Sequence, residues 1–262
     1  MGKVNENQSI GIVGGGQLAL MMLPAARNLG YRIVVLDPDQ HCASAGEADE
    51  LIIGDFSSSD ALKELGARSD YVTFEIERVS VENLKMLECQ GKIVRPSSSV
   101  LSKIQDKLVQ KEELEKLGLP VGEFMDLKNR EDLAERIPCV WKARTSGYDG
   151  NGVIVLRSIE DMDAVPSRPG YTETLVDLDY ELAILVARGA GGAVVVYPVS
   201  EIIMDSTRNI LDTVFAPASA PLEMQKRCQE IAVKIAESFD YVGIMAIEFF
   251  VCKSGLLRVN EV

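Results

Sequence analysis

The chain has 262 residues, of which 47% are hydrophobic and 26% charged, and 40 acidic against 27 basic side chains give a formal charge of −13. This is the composition of a globular protein with room for two or three small domains, and its acidic balance argues against non-specific nucleic-acid binding, which needs a basic footprint. No apolar run reaches membrane-spanning length and residues 1–8 are too polar for a signal peptide; one histidine, His41, rules out a histidine metal cage, and five scattered cysteines without a C-x-x-C pair fit reduced thiols in the cytoplasm.

In chain order, residues 9–95 alternate strand and helix. Strand 10–13 runs into Gly14-Gly15-Gly16, and a helix follows from about Gln17 to Leu29, with Gly30 placed to end it. Strand 32–36 ends at Asp37-Pro38. Strand 51–53, helix 60–65, strand 71–74 and helix 81–87 continue a βαβ array that predicts a parallel sheet. The Gly14–Gly16 turn lets a phosphate approach backbone N–H groups at a helix N-terminus. It also satisfies G-x-G-x-x-A through Ala19, with Asp37 placed for a ribose hydroxyl, so a dinucleotide site and an NAD-dependent dehydrogenase are a lesser alternative. Close packing of helix on strand is a third explanation. Glu75 follows the fourth strand at the end where parallel sheets bind ligands. It is either a ligand for a ribose hydroxyl or an amine, or a solvated acidic strand end.

Arg95-Pro96-Ser97 breaks the pattern and a helical stretch then runs to Leu117, which places a domain boundary near Ser102. Lys107 and Lys111 lie one turn apart on it, a lesser candidate pair for phosphate, with a solvated helix face the expected place of Lys111. Lys142 sits on a strand before Gly147, Gly150 and Gly152, three glycines in six residues that make a flap able to fold over phosphates, or a long hairpin loop. Glu173, Thr174, Leu175 and Val176, followed by Glu181, resemble a segment that reads an adenine edge and holds a ribose. Ser158 and Asp161 form a capping-box pattern, and a helix over 222–239 repeats its apolar residues at three and four.

The last two β-rich runs flank Lys253-Ser254-Gly255. With Ser254-Gly255 as a two-residue turn, counting outward sets Glu248 opposite Glu261. Like charges directly opposed destabilise a strand pair. A hard cation reverses that, and Mg²⁺ characteristically takes one or two carboxylates plus substrate phosphates. A solvated hairpin with two tolerated acids is the alternative.

Taken in order, Gly14-Gly15-Gly16-Gln17-Leu18, Leu36-Asp37-Pro38, Val72–Glu77, Ile104–Lys111, Thr145–Gly150, Ala216-Pro217-Ala218, Ala246-Ile247-Glu248 and Val259-Asn260-Glu261 resemble the 5-(carboxyamino)imidazole ribonucleotide synthases of the ATP-grasp superfamily, from about Ile10 to Val262. The resemblance implies an α/β fold: a Rossmann-like parallel sheet (1–102), a small α+β lid (103–178) and an incomplete antiparallel α+β domain (179–262). It implies ATP and Mg²⁺ as cofactors, 5-aminoimidazole ribonucleotide and bicarbonate as substrates, and a homodimer. ATP phosphates would meet Lys107, Lys142, Gly147 and Gly150, the adenine Glu173–Val176, and the ribose Glu181. Glu248 and Glu261 would hold the metal; Gly16, Gln17, Leu18 and Glu75 would meet the ribonucleotide; Tyr148 and Asp149 would close over the reacting centre.

Departures from the family pattern are also legible. No histidine occurs in Glu201–Asn209, where the family has E-N-x-H. Ser146 and Asn151 replace a glycine and a basic residue in the flap, and Ala19-Leu20 replaces Gly-Arg. The family continues past its Asn-Glu pair with a basic, histidine-containing segment. The expectation is therefore a C-terminally truncated member, with an ATP-binding fragment or diverged protein lacking carboxylase activity as the alternative.

Overall fold

The computed structural model describes residues 8–145, 147, 152–205 and 210–262. The chain divides into two compact units, Met1–Ser102 and Lys103–Val262.

In the first unit, β1 (Ser9–Val13), β2 (Arg32–Asp37), β3 (Glu50–Ile53), β4 (Tyr71–Phe74) and β5 (Ile93–Val94) form one sheet in the order β3-β2-β1-β4-β5. All four pairings are parallel. The strands read as near-continuous apolar runs because helices cover both faces. Ile12, Ile33 and Val35 pack with Ala19 and Leu23 of α1 (Gln17–Asn28). The alternate residues Val13, Val34 and Leu36 pack on the other face with Leu62 and Leu65 of α2 (Ser59–Ala67) and Leu84 and Leu87 of α3 (Val81–Cys89). Ser58 and Ser80 cap those last two helices by accepting the amide N–H groups of Ala61 and Asn83. The predicted βαβ array is present.

The helical stretch expected through Leu117 is two helices, α4 (Ser98–Ile104) and α5 (Lys107–Lys116). Asp106 separates them, because its carboxylate accepts from the N–H groups of Leu108 and Val109 and starts a new helix.

The second unit contains two sheets. β6 (Phe124–Asp126), β9 (Gly170–Thr174), β7 (Cys139–Ala143) and β8 (Val153–Leu156) form an antiparallel sheet around buried Trp141, Ala143 and Leu156. The larger antiparallel sheet runs β13 (Ile210–Phe215), β12 (Ser200–Asp205), β10 (Leu178–Arg188), β14 (Gly243–Cys252), β15 (Leu257–Glu261), with β11 (Val194–Val196) also on β10. Helix α6 (Leu222–Ser238) turns Cys228, Ile231, Ala232 and Ile235 inward and packs on β10 and β14. There Leu182, Ile184, Val186, Met245, Ile247 and Phe249 are buried. Alternation therefore sends Glu181 and Ala183 of β10, and Glu248 and Phe250 of β14, to the face opposite α6. The Ser158/Asp161 capping box is present, but it starts a single 3₁₀ turn. Strand β12 went unread in the sequence. Among the described residues no helix is long and apolar enough to cross a membrane.

Candidate functional site

The carboxylate pair expected from the final hairpin is formed: Glu248 and Glu261 are register partners. The route to that register differs from the two-residue turn assumed. Cys252 N–H donates to Leu256 O at 2.9 Å and Gly255 N–H to Cys252 O at 2.8 Å, so the loop has three residues, with Gly255 at φ +80°. The strands therefore start one residue out of step, pairing Val251 with Leu257 and Phe249 with Val259, all four buried. Continued without a break, that register would set Glu261 against buried Ile247 and drive a carboxylate into the core. A bulge at Asn260 absorbs one residue and restores the Glu248–Glu261 pairing, so that Asn260 and Glu261 both lie on the Glu248 face. Asn260 Nδ2 donates to Glu248 Oε2 at 3.3 Å.

Asn260 Oδ1 in turn accepts from Lys142 Nζ of β7 at 3.0 Å. Lys142 also donates to Glu173 Oε2 of β9 at 3.1 Å, and its ammonium lies 5.8 Å from the Phe250 ring centroid. Glu173 is almost wholly buried and meets three donors. Besides Lys142 it takes Lys111 Nζ of α5 at 3.2 Å and the Tyr171 hydroxyl at 2.8 Å. Burial alone would raise the Glu173 carboxyl, but the two lysines and the tyrosine outweigh it and hold the group below its ordinary range. Burial and the Glu173 charge push the Tyr171 phenol upward.

Lys107 begins α5 and ion-pairs with Glu261. Its backbone N–H donates to Arg144 O at 2.8 Å, while the Arg144 guanidinium grips the capping Asp106 carboxylate at 2.6 to 3.1 Å. That clamp fixes the start of α5 on the end of β7, so Lys107 and Lys142 belong to one assembly.

Lys111 corrects the sequence reading. It is 2% exposed, not on a solvated face. Leu108 and Leu114 share its stripe at a spacing of three, and both are buried, which was the available signal. Desolvation lowers its ammonium from 10.5 to about 8, against the partly compensating Glu173 charge. Between pH 8 and 10.5 the unfolded chain then binds a proton that the folded chain does not, so this group adds stability as pH rises through that window. The shift is worth on the order of 3 kcal/mol. Urea unfolding of the parent should gain on a Lys111→Met variant by that order across those pH values; parallel curves would refute it.

Glu248 is raised by burial and then by the Glu261 charge. Glu181 is raised by burial and then by Glu248. Two crowded carboxylates form a hard, oxygen-only donor pair of the kind that suits Mg²⁺. Among the described residues no group of three or more His, Cys, Asp and Glu is placed to hold a metal ion. Leu175 and Val176, with Thr174 and Asp177, line a 210 Å³ cavity closed by Cys252, Ser254, Leu256 and Arg258. Gly147 is a half-buried loop residue; Tyr148, Asp149 and Gly150 lie outside the described residues.

In the first unit, Gly16 N–H donates to Glu75 Oε1 at 3.0 Å, and a side chain on Gly14 or Gly16 would strike the Glu75 carboxylate. At Gly14 a φ of +96° also favours glycine, whereas at Gly16 only the end of the flexible Glu75 side chain would have to move. Gln17 and Leu18 are exposed beside it. Asp37 is 8% exposed and turned inward: Oδ2 accepts from Gly15 N–H at 2.7 Å and Oδ1 from Asp39 N–H at 2.8 Å. Its carboxylate pins the glycine turn rather than reaching for a ribose, which removes the residue on which the NAD-dehydrogenase alternative depended.

An ATP-grasp domain model matches residues 112–262, and a ribonucleotide synthetase preATP-grasp domain model matches residues 7–105. The chain belongs to the ATP-grasp family. It is 35% identical to an N5-carboxyaminoimidazole ribonucleotide synthase from Synechococcus elongatus, over 99% of this chain and 67% of that protein. It is 36% identical to a phosphoribosylaminoimidazole carboxylase from Ogataea methanolica, over 98% of this chain and 49% of that one. The solved N5-carboxyaminoimidazole synthase of Aspergillus clavatus, in complex with ADP and 5-aminoimidazole ribonucleotide, matches 98% of this chain and 69% of its own with a TM-score of 0.87 at 28% identity. The chain thus spans from about half to about two thirds of the length of these relatives. Within this ATP-grasp unit the structure brings together Lys107, Lys142, Glu173, Glu248 and Glu261 as expected. It adds Tyr171, Asn260 and the Asp106–Arg144 clamp, to which the sequence reading assigned no role, and Lys111, which it held only as a lesser candidate.

Proposed function

We propose that this chain carries the ATP- and bicarbonate-dependent carboxylation of 5-aminoimidazole ribonucleotide to 5-(carboxyamino)imidazole ribonucleotide. The observation that carries the reading is the junction at Asn260, where the Lys142–Glu173–Lys111 cluster meets the Glu248/Glu261 pair. Cations that can bear phosphate charge there adjoin carboxylates that can bear a metal, in a chain whose relatives are named for this reaction.

In the reaction a bicarbonate oxygen attacks the γ-phosphorus of ATP, the bond to the β,γ-bridging oxygen breaks, and ADP leaves with that electron pair. The carboxyphosphate so formed delivers its carboxyl group to the exocyclic amine of the ribonucleotide. Phosphate departs and the amine loses a proton. We assign the γ- and β-phosphate charge to Lys107 and Lys142, helped by backbone N–H groups at Gly147 and Gly150. The Glu173–Val176 segment takes the adenine and Glu181 the ribose hydroxyls. Glu181 lies on the same sheet face as Glu248, whose charge acts with burial to raise its carboxyl, which supports its place in this site. Glu248 and Glu261 would hold Mg²⁺, which when bound neutralises charge on the transferring phosphoryl group. Gly16, Gln17, Leu18 and Glu75 are assigned to the ribonucleotide, and Tyr148 and Asp149 to the reacting centre. A cytoplasmic homodimer is carried over from the resemblance, and sedimentation would test its stoichiometry.

The test is ADP release with Mg-ATP and bicarbonate, with and without 5-aminoimidazole ribonucleotide. Stimulation by the ribonucleotide is expected. ATP binding without stimulation would reduce the reading to a nucleotide-binding module.

A further inference from the structure

One face of α5 grips the last residues of β15 at three successive points, and only one of them involves a side chain of the candidate metal pair. Lys107 pairs with the Glu261 carboxylate. Lys111 Nζ donates to the backbone carbonyl of Val259 at 3.1 Å. Gln110, between them on the same face, behaves like a neighbouring β-strand. Its Nε2 donates to Val262 O at 3.0 Å while its Oε1 accepts from Val262 N–H at 3.0 Å. Nε2 also reaches Ile104 O at 3.2 Å, so both ends of the amide are engaged.

Gln110 is 1% exposed. A buried primary amide is costly unless it is satisfied, and here its partners are the backbone N–H and carbonyl of Val262 and the carbonyl of Ile104. Lys111 fixes the backbone before Asn260 and Gln110 fixes it after Glu261. The two residues between them are those that the bulge must turn toward Glu248, and a bulge is otherwise a loose point in a ladder, with one residue left unpaired. β15 is also the last strand of its sheet; its outer side is met at Val259, whose N–H donates to Pro120 O at 2.7 Å in an isolated parallel bridge with Val121, which leaves the residues after the bulge to α5.

We infer that Gln110 is a positioning residue for the metal pair: through the backbone of Val262 it holds Glu261 across from Glu248. This rests on the metal role proposed above for those two carboxylates. Gln110 touches neither carboxylate, so its effect is confined to metal-dependent binding. ADP affinity in the absence of metal, which draws on Lys107, Lys142 and the Thr174–Val176 segment, is left unchanged.

The experiment is calorimetric titration of ADP into the parent and into Gln110→Met, once with saturating Mg²⁺ and once with EDTA, beside a ligand-free thermal melt. Methionine keeps the volume and removes all three hydrogen bonds, the two to Val262 and the one to Ile104. Gln110→Asn, which keeps the amide but is one methylene too short, is the second variant should the first fail to fold. The expected result is a loss of about tenfold or more in Mg-ADP affinity, with EDTA affinity within about twofold of the parent, as for the loss of an outer-shell support. Equal losses in Mg²⁺ and in EDTA, or no loss in either, would overturn the inference. A parent whose ADP affinity is indifferent to Mg²⁺ would overturn the metal reading itself, and this inference with it.

Discussion

Glu173→Gln is expected to be among the most destabilising single changes in the second unit. The Glu173 carboxylate is the shared anion for Lys111 and Lys142, which approach it at 3.2 and 3.1 Å. Removing its charge leaves two buried cations facing a neutral amide, one of whose ends presents a donor to a donor. Breaking a buried pair by deleting one partner costs about 3–5 kcal/mol. For a chain of this size that is a fall of roughly 10 °C in melting temperature. The cost arises from the uncompensated lysines, so adding Lys111→Met should return a large part of it. Such a recovery is a coupling that independent sites do not show. A Glu173→Gln protein that melts within about 2 °C of the parent would refute this account of the cluster.

Glu248→Gln should act in the opposite direction on stability while damaging binding. Burial and the facing Glu261 charge raise the Glu248 carboxyl above its ordinary value. The folded chain therefore holds that proton to a higher pH than the unfolded chain does. Stability from this group is full below the unfolded value and falls as pH rises through the raised one, so at pH 7.5 the ionised form is a burden. Glutamine removes the burden, and the metal-free variant should melt a few degrees higher, roughly 2–4 °C for each 1 kcal/mol relieved. Mg-ADP affinity should drop by about tenfold or more, since supporting groups alone are worth about 10- to 100-fold at metal sites. This is the trade expected where a strained site is kept for function. A variant that melts lower and binds Mg-ADP as the parent does would sink the metal assignment of Glu248.

Much of the fold is legible from local pattern. The parallel sheet of the first unit follows from apolar runs separated by helical spacing, and the Glu248–Glu261 pairing follows from the turn residues and a count along two strands. The count reached the right partners through two offsetting slips. It assumed a loop one residue shorter than the one formed and a strand without a bulge. Burial of Val259 and Leu257 against Phe249 and Val251 sets the register near the turn, and the cost of burying Glu261 forces the bulge farther along. Alternation from buried Val259 already leaves Asn260 on the Glu248 face; it is Glu261 that alternation alone would have sent into the core.

The buried cluster was harder to read. Lys142 and Glu173 stood out as residues of a charged strand and an adenine-reading segment, but nothing local says that they touch. Lys111 resembled any lysine on a charge-rich helix, and Gln110 any polar neighbour. Only packing against β9 and β15 makes one a buried ion-pair partner and the other a substitute strand.

The sequence by itself determined which segments become strand, helix and glycine turn, and it carried the ordered motifs that mark an ATP-grasp chain. These are local properties, set by periodicity, capping and turn chemistry. The tertiary structure alone decided which charges meet. The energies of Lys111, Lys142 and Glu173 depend on burial and on partners 31 to 62 positions away in the chain, and no local pattern encodes the exclusion of water that makes those contacts strong.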